Sequence, residues 1–182
     1  MNNKMDGLTI VEEYISKKEE KELIDFIDSQ EWSNALSRRT QHYGYEYNYR
    51  AQARHKNPVL EKTFPIPEKF LKYIKDIDER FNQVIVNEYQ PGQGISPHID
   101  HVRLFGDTIA SISLGSAVMF KFEKKKEEEP VFVYLQPRTL IIMEGDARWR
   151  WLHSIPAKKT DEVNGKIIKR ERRISLTFRI VV

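Results

Sequence analysis

The sequence predicts an α+β fold, in which an antiparallel sandwich or jelly roll is braced by N-terminal helices. Two observations indicate this class. Helix-like patterns occur early in the chain, whereas from Val84 onward the chain is a series of short strand-like runs separated by turns. The length of 182 residues suits a single domain with one substantial core, so we predict that residues 1–182 form one unit.

Two segments have the residue spacing of amphipathic helices. In residues 16–29, Ser16 is a suitable N-cap, Glu19 completes a capping box, and an apolar face follows at Leu23, Ile24, Phe26 and Ile27. The second segment, residues 68–81, comes after two prolines and carries Phe70, Leu71, Ile74 and Ile77. Each helix is expected to bury its apolar face.

The strand-like runs are rich in β-branched and aromatic residues. They read VIVNEY, TIASISLGS, AVMFKF, VFVYL, TLIIM and RRISLTFRIVV. A QPGQG turn follows the first run, and the charged segment FEKKKEEEP suits an exposed hairpin tip. Many short strands with turns between them indicate a sandwich or a jelly roll.

The composition excludes several classes of protein. There are no cysteines, which excludes disulfides and thiolate-bound zinc and leaves His and carboxylate side chains as the strong metal ligands. We find neither an apolar run long enough to cross a bilayer nor a signal peptide, so we expect a cytoplasmic monomer, or a nuclear one in a eukaryote. The net charge of +3 does not oppose a polyanionic partner.

A possible metal site begins at His98-Ile99-Asp100. On a strand, residues i and i+2 point to the same face, so the imidazole and the carboxylate can converge on one ion. A His-x-Asp pair occurs often by chance and needs a third ligand from elsewhere. Two His and one carboxylate leave three positions of an octahedron open, which is the arrangement of Fe(II) oxygenases.

The third ligand has to come from one of four remaining histidines: His42, His55, His101 or His153. His101 would point to the opposite face of a continuing strand, and the first two lie in a loop-rich segment. His153, which follows a run of strands, is the best candidate. The alternative is that each histidine merely fills the surface or the core.

The C-terminal strand separates its side chains into two faces. Arg173, Ser175, Thr177 and Arg179 share one face, and apolar residues occupy the other. Two guanidiniums on an inner face are costly without partners, and a dicarboxylate would supply them, because Arg binds carboxylates through paired hydrogen bonds. The alternative is an edge strand whose arginines face solvent.

Four motifs in this order resemble the AlkB family of Fe(II)/2-oxoglutarate dioxygenases. They are Asn87-x-Tyr89, His98-x-Asp100, His153 and Arg173-x5-Arg179. GYEYNY, NEYQPGQGISPHID and SISLGS are most similar to the oxygenase domain of the tRNA-modifying AlkB homologues. The resemblance covers the chain from about Gly7 to Val182.

The resemblance implies a double-stranded β-helix that uses Fe(II), 2-oxoglutarate and O₂. It implies that His98, Asp100 and His153 bind iron and are the catalytic residues. It also implies that Arg173 pairs with the distal carboxylate of 2-oxoglutarate, that Arg179 lies near the chelating end, and that three further residues donate or accept hydrogen bonds there: Asn87, Tyr89 and Ser175. The implied reaction is hydroxylation of a base or, on an N-methyl group, oxidative demethylation.

The substrate side is predicted in residues 37–56. Arginines alternate with tyrosines there, which suits phosphate contacts and base stacking, and the candidate substrate-binding residues are Arg38, Arg39, Tyr43, Tyr45 and Tyr47. Their odd-numbered spacing, continued by Tyr49, places the tyrosines on one face of a strand. In the AlkB family this region is the nucleotide-recognition lid. The alternative is that the tyrosines simply pack a strand.

The chain departs from the alkylation-repair members of the family in one respect. Those enzymes carry a second acidic residue shortly after the ligand Asp, whereas here Asp100 is followed by His101, Val102, Arg103 and Leu104. This favours RNA, including tRNA, over alkylated DNA as the nucleic-acid substrate. A protein hydroxylase or demethylase on the same scaffold, and a binding module without activity, remain alternatives.

Overall fold

A computed structural model of the chain describes residues 5–47, 60–124 and 129–182. Strands dominate these ranges. In chain order the elements are β1 (Leu8–Val11), α1 (Lys17–Asp28), β2 (Thr40–Tyr43), β3 (Tyr45–Tyr47), β4 (Leu60–Lys62), α2 (Glu68–Leu71), β5 (Gln83–Tyr89), β6 (Ile95–His98), β7 (Phe105–Gly115), β8 (Val118–Glu123), β9 (Val131–Leu135), β10 (Leu140–Met143), α3 (Gly145–Trp149), β11 (Leu152–Ile155), β12 (Thr160–Val163), β13 (Lys166–Lys169) and β14 (Arg173–Val181).

Most of the strands form two antiparallel sheets. The larger sheet has the order β1-β10-β7-β14-β5-β2, and the smaller one has the order β6-β11-β8-β9. Two hairpin-like pairs, β12-β13 and β3-β4, form separate two-stranded sheets. Non-consecutive neighbours within the two main sheets are what a jelly roll requires. No helix among the described residues is long and apolar enough to cross a membrane.

The larger sheet is buried on both faces. On one face Ile174, Leu176 and Phe178 of β14 join a cluster that includes Leu23 and Ile27 of α1. A second apolar cluster lies between the two sheets and contains Ile109, Phe122, Leu135, Ile141 and Trp151. The polar residues of β14 alternate with its apolar ones and line a cavity between the two sheets, so the predicted separation of faces is confirmed.

The structure contains both predicted helices, but only the first has the predicted length. The first begins and ends as predicted, and its capping box is present: Ser16 Oγ accepts a hydrogen bond from the Glu19 backbone NH at 3.2 Å. The second was predicted over 68–81, but α2 ends at Leu71 and turns follow it. Phe70 and Ile74 are nevertheless buried. Apolar spacing identified the side chains that pack in the core, but it did not determine the length of the helix.

A buried carboxylate connects β5 to α1 on the helix side of the larger sheet. Glu88 accepts two hydrogen bonds from Arg39, at 2.6 and 2.8 Å, and one from Arg172 at 2.6 Å. Arg172 in turn donates two hydrogen bonds to Asp28, the last residue of α1. The hydrogen bonds from Arg39 lower the pKa of Glu88 against the effect of burial, and the one from Arg172 adds to this.

We expect Glu88→Gln to lower the free energy of unfolding by about 2 kcal/mol at neutral pH, because Arg39 loses its anionic partner and Arg172 keeps only Asp28. A carboxyl group with a lowered folded-state pKa contributes stability above its unfolded pKa and loses it as the pH falls through the folded pKa. The difference between the two proteins should therefore shrink in acid. Denaturant titrations over a pH series measure this. An equal difference at every pH would contradict the assignment.

Candidate active site

Two strands of the smaller sheet bring together two histidines that are far apart in sequence. His98 of β6 and His153 of β11 are direct partners in the antiparallel register. Their ring centroids are 4.3 Å apart. His153 is buried, and its ring stacks on Phe120 of β8 with a centroid separation of 5.8 Å. The pairing of β6 with β11 therefore brings the two histidines into contact, although they lie far apart in the sequence.

The two imidazoles differ in their surroundings. Nδ1 of His98 lies 2.8 Å from the carbonyl oxygen of Ser96. Because a carbonyl can only accept, Nδ1 donates this hydrogen bond, which leaves Nε2 as the ring nitrogen that can bind a metal. Burial, opposed by the charge of Asp100, lowers the pKa of His153 to about 3, so this ring is neutral at physiological pH. Neutral imidazole is the form that binds metals.

Asp100 lies beside the histidines, but strand alternation, which the sequence predicted as the reason, is not what places its side chain there. β6 ends at His98, so strand alternation does not set the direction of the Asp100 side chain. Instead, Oδ1 accepts a hydrogen bond from Nε of Arg179 at 2.9 Å, and Oδ2 lies 3.8 Å from Nε2 of His153. Arg179, near the C-terminal end of β14, therefore holds the carboxylate in place.

Asp100 is charged although it is buried. Burial acts to raise the pKa of its carboxyl group, but the positive charge of Arg179 and, after it, the interactions with His153 and His98 outweigh burial and lower the pKa to about 2. Oδ2 has no hydrogen-bond partner among the described residues. A buried carboxylate oxygen without a partner is costly, and a bound cation would remove that cost.

Arg148 of α3 binds the backbone of the segment that follows β6, a role that the sequence did not predict. Its guanidinium is buried and donates three hydrogen bonds, to the carbonyl oxygens of Asp100 at 3.0 Å, Phe105 at 3.0 Å and Gly106 at 2.9 Å. The ring of Trp149 covers it at 4.1 Å. Burial lowers the pKa of Arg148, and the charge of Asp100 opposes this. Arg148 fixes the backbone that carries Asp100.

We expect Arg148→Met to weaken iron binding by about tenfold or more, which is the effect of losing a group that orients a metal ligand. Leaving three buried carbonyls without a partner should also lower the free energy of unfolding by about 3 kcal/mol. Iron titration under anaerobic conditions measures the first effect. Arg150→Met is the matched control, since Arg150 is exposed and pairs only loosely with Asp146 at 3.6 Å. Unchanged iron affinity in Arg148→Met would show that Arg148 has only a structural role.

The three side chains lie in one cluster without closing on a common point. Among residues 5–47, 60–124 and 129–182, no group of three or more His, Cys, Asp and Glu side chains has the geometry to hold a metal ion as the side chains stand. The hydrogen bond to Arg179 holds Oδ1 of Asp100, and the two histidine rings are inclined at 53° to each other. Coordination by all three would require these side chains to turn toward one another.

Arg173 lies on the same inner face, deep between the sheets. It pairs in register with Tyr89, and its guanidinium carbon is 5.4 Å from the centroid of the Tyr89 ring. Nη2 donates a hydrogen bond to Ser113 Oγ at 2.7 Å, whereas Nε and Nη1 have no partner among the described residues. Burial lowers the pKa of Arg173 to about 10, so it stays charged at neutral pH. This is a buried cation with two unused donors.

The other predicted cosubstrate residues line the same cavity. Ser175 of β14 pairs in register with Asn87 of β5, and both are buried. Nη1 of Arg179 is a further buried donor without a partner in the described part of the chain. The cavity is lined by both charged and apolar side chains: Asn87, Tyr89, His98, Asp100, Leu135, Ile141, Met143, His153, Arg173, Ser175 and Arg179. The family resemblance assigns five of these residues to the cosubstrate: Asn87, Tyr89, Arg173, Ser175 and Arg179.

A second, open cavity of about 290 Å³ lies in front of His98 and Asp100. Arg38 is one of its walls and donates a hydrogen bond from Nε to Asn87 Oδ1 at 2.9 Å. The remaining lining comprises Ile85, Asn87, Ile95, Ile99, His101, Phe105 and Arg179. Of the predicted substrate-binding residues whose side chains are described, the structure brings Arg38 to this cavity.

The structure does not place Arg39, Tyr43 and Tyr45 with Arg38. Arg39 projects to the helix side, where it binds Glu88 and lies 4.8 Å from the Trp32 ring. Tyr43 is buried in the core beside Phe70. The Arg39 side chain is engaged in an ion pair and that of Tyr43 in core packing, and neither lines the open cavity. As substrate contacts, both stay predictions. Tyr45 is half-buried and lines neither cavity.

The prediction that the tyrosines share one face of a strand is wrong for Tyr43 and Tyr45, which lie in different strands. β2 ends at Tyr43 and β3 begins at Tyr45, with Gly44 between them at a φ of 77°. A Cβ at Gly44 would lie 1.9 Å from the Asn82 carbonyl oxygen, so the bend requires glycine. The β3 backbone includes Tyr47. Residues 48–56 of the predicted lid lie outside the described residues.

The other histidines are placed away from the cluster or beside it. His42 of β2 pairs with Ile85, and its Nε2 lies 3.1 Å from Thr40 Oγ1. Burial, together with the charges of Arg179 and Arg38, lowers the pKa of His42 to about 4. His101 lines the open cavity and follows Asp100 directly. His55 lies outside the described residues.

Comparison with known proteins decides the family. A sequence profile of the 2OG-Fe(II) oxygenase superfamily matches residues 7–179. The chain belongs to this superfamily. Its members are Fe(II)- and 2-oxoglutarate-dependent oxygenases, so the predicted enzyme class, with Fe(II), 2-oxoglutarate and O₂ as cofactor and cosubstrates, is confirmed.

AlkB homologues are among the relatives of this 2OG-Fe(II) oxygenase, which confirms the family resemblance. The mouse tRNA (carboxymethyluridine(34)-5-O)-methyltransferase ALKBH8 is 38% identical over 96% of this chain, which spans 30% of the mouse protein. Uncharacterized protein L905 of Acanthamoeba polyphaga mimivirus is 39% identical over 98% of this chain and 86% of its own length. The solved structure of OsALKBH1 covers 98% of both chains with a TM-score of 0.75 at 16% identity, which confirms the jelly-roll fold alone.

Proposed function

We propose that this oxygenase hydroxylates or oxidatively demethylates a base of a nucleic acid, with RNA, and tRNA in particular, ahead of alkylated DNA. One observation carries the proposal. Two adjoining cavities, of which the outer one is open, together contain in their lining the two histidines, the aspartate and two buried arginines, and both arginines have unused hydrogen-bond donors. The name of the mouse relative gives it a uridine of tRNA as substrate. Its similarity to this chain over almost the whole chain supports the same class of substrate here.

In this proposal His98, Asp100 and His153 hold the iron. The donor set fits Fe(II), because two neutral imidazoles and one carboxylate suit this ion and leave coordination positions open. Oδ2 of Asp100 is buried and lacks a partner in the described part of the chain, and Nε2 of His98 is the free nitrogen of its ring. These are the atoms that a cation would satisfy.

The same proposal assigns 2-oxoglutarate to the inner cavity. Arg173 has two unused donors and Arg179 has one, which fits a molecule with a carboxylate at each end. Asn87, Tyr89 and Ser175 would add hydrogen bonds from the paired strands β5 and β14. Burying these guanidiniums without partners would be costly, so a dianionic ligand explains their presence.

When bound, iron and 2-oxoglutarate supply the oxidising chemistry: O₂ is consumed, succinate and CO₂ leave, and one oxygen atom enters the substrate. The residues of the chain orient and shield these groups. Arg179 holds Asp100 ionised, so that the carboxylate is available as a ligand at neutral pH. Apolar side chains, among them Leu135, Ile141 and Met143, line the inner cavity and would exclude water from it.

The substrate base is proposed to enter through the open cavity. Its volume of about 290 Å³ accommodates one base, which has to be unstacked before it can reach His98 and Asp100. Residues 37–56 are proposed as the nucleotide-recognition lid, with Arg38 as the member that contacts the substrate. Tyr45 and Tyr47 stay predictions as substrate contacts.

Succinate formation tests the proposal directly. The protein is loaded anaerobically with Fe(II) and incubated with 2-oxoglutarate and O₂, alone and with total tRNA, methylated DNA oligonucleotides or a peptide library. We expect tRNA to stimulate succinate formation most, and the stimulation to fall steeply as salt is raised, because phosphate contacts release counterions. Stimulation by peptides but not by nucleic acid would overturn the proposed substrate, and no succinate with iron bound would overturn the proposed enzyme.

A further inference from the structure

We propose that Arg38 binds an oxyanion of the substrate nucleotide, either a carboxylate carried by the base or the phosphate of the same nucleotide, and that the open cavity rejects cationic methylated bases. The inference rests on the proposed function and specifies the class of substrate.

The charges around the open cavity point to this chemistry. Among the lining residues that the structure describes, Asp100 alone carries a carboxylate, and this group already binds Arg179 and is proposed to bind iron. The cationic side chains among these residues are Arg38 and Arg179, and Arg179 is paired with Asp100. A cationic base entering this cavity would therefore meet no free carboxylate from the residues that line it. Like charges in a partly desolvated cavity repel, whereas an anionic group is attracted.

Arg38 is held at its position from both sides. The Ser37 carbonyl oxygen accepts a hydrogen bond from Gln93 Nε2 at 2.6 Å, and the Arg39 carbonyl oxygen accepts one from the Glu88 backbone NH at 3.0 Å. The two neighbouring side chains diverge: Arg39 points to the helix side, where it binds Glu88, and Arg38 points into the cavity. These contacts hold the backbone on both sides of Arg38, and the hydrogen bond from its Nε to Asn87 Oδ1 directs the side chain.

The terminal nitrogens of Arg38 are available to a ligand. Nε donates to Asn87 Oδ1, and the guanidinium carbon lies 5.9 Å from the Tyr89 ring centroid. Neither Nη1 nor Nη2 makes a hydrogen bond to any residue that the structure describes. Two parallel N–H groups that face an open cavity match the two oxygens of a carboxylate or a phosphate.

The test compares the binding of RNA stem-loops that differ by one charge, in the presence of Fe(II) and 2-oxoglutarate without O₂. One pair carries 5-carboxymethyluridine or its neutral isostere 5-carbamoylmethyluridine. The other pair carries a normal phosphate or a neutral methylphosphonate at the same nucleotide. Contacts to the remaining phosphates are common to both members of a pair and cancel in the ratio of their dissociation constants.

We expect the wild-type protein to prefer the anionic member of one pair by about tenfold or more, as for a charge-assisted hydrogen bond. Arg38→Gln should bring that ratio close to one, whereas Arg38→Lys, which keeps the charge, should retain part of it. Arg150→Gln, which removes an exposed arginine, should bind like the wild type. The pair that responds identifies the base carboxylate or the phosphate as the oxyanion.

Two results would overturn the inference: ratios near one in the wild type for both pairs, or ratios unchanged in Arg38→Gln. A higher KM for 2-oxoglutarate with unchanged ratios would show that Arg38 acts through Asn87 on the cosubstrate instead. Succinate formation by the same preparations separates this failure from that of the proposed function. If RNA stimulates succinate formation while the ratios stay at one, Arg38 alone has been misassigned; if it does not, both proposals fail.

Discussion

His153→Ala is expected to lower iron affinity and RNA-dependent succinate formation by more than about a hundredfold, since loss of a ligand exceeds the effect of losing a group that only orients one. His153 stands at the centre of the cluster, opposite His98 in the strand register and 3.8 Å from Asp100 Oδ2. Anaerobic iron titration and a succinate assay measure the two quantities separately.

His42→Ala is the matched control, since His42 is another histidine of a β-strand and was an alternative third ligand in the sequence. It should bind iron like the wild type. If both variants lost iron equally, the loss would reflect damage to the fold. If His153→Ala kept its iron, His153 would not be a ligand.

Arg173→Met is expected to raise the dissociation constant of 2-oxoglutarate by more than about a hundredfold, because a buried charge-assisted contact is lost from a site that excludes water. Without the cosubstrate the variant should be as stable as the wild type or more so. A buried guanidinium that lacks partners for Nε and Nη1 is costly, and an apolar side chain of similar length removes that cost.

Thermal unfolding with and without 2-oxoglutarate, under anaerobic conditions and with the metal present, measures both effects in one experiment. The wild type should be stabilised as 2-oxoglutarate is added, and Arg173→Met should not respond. Lys169→Met, in the exposed strand β13, is a control for the loss of a cation, and it should respond like the wild type. A full response in Arg173→Met would place the cosubstrate elsewhere.

The two faces of β14 could be predicted from the sequence, because side chains on a strand alternate with a period of two. One face packs in the apolar core and the other lines a polar cavity, so polar and apolar residues alternate. That pattern assigned Arg173, Ser175 and Arg179 to one face, and the structure places all three around the inner cavity. The pairing of His98 with His153 could be inferred only from motif order, because the register between β6 and β11 depends on the whole fold.

Other parts of the site left no readable signal in the sequence. Arg148 lies between Ala147 and Trp149 in a short helix, and its role rests on three backbone carbonyls that any residue could supply. The spacing of the tyrosines suggested one face, but the bend at Gly44 separates Tyr43 from Tyr45. Local spacing predicts faces within an element, and it fails where an element ends.

Mass spectrometry of nucleosides tests the central claim most directly. Total tRNA and methylated DNA and RNA oligonucleotides are treated with the iron-loaded protein, 2-oxoglutarate and O₂, then digested, with His98→Ala as control. We predict the gain of one oxygen atom on a tRNA nucleoside, or the loss of a methyl group from a methylated base, in the wild type and not in the variant. Succinate formation with no change in any nucleoside would contradict a nucleic-acid substrate.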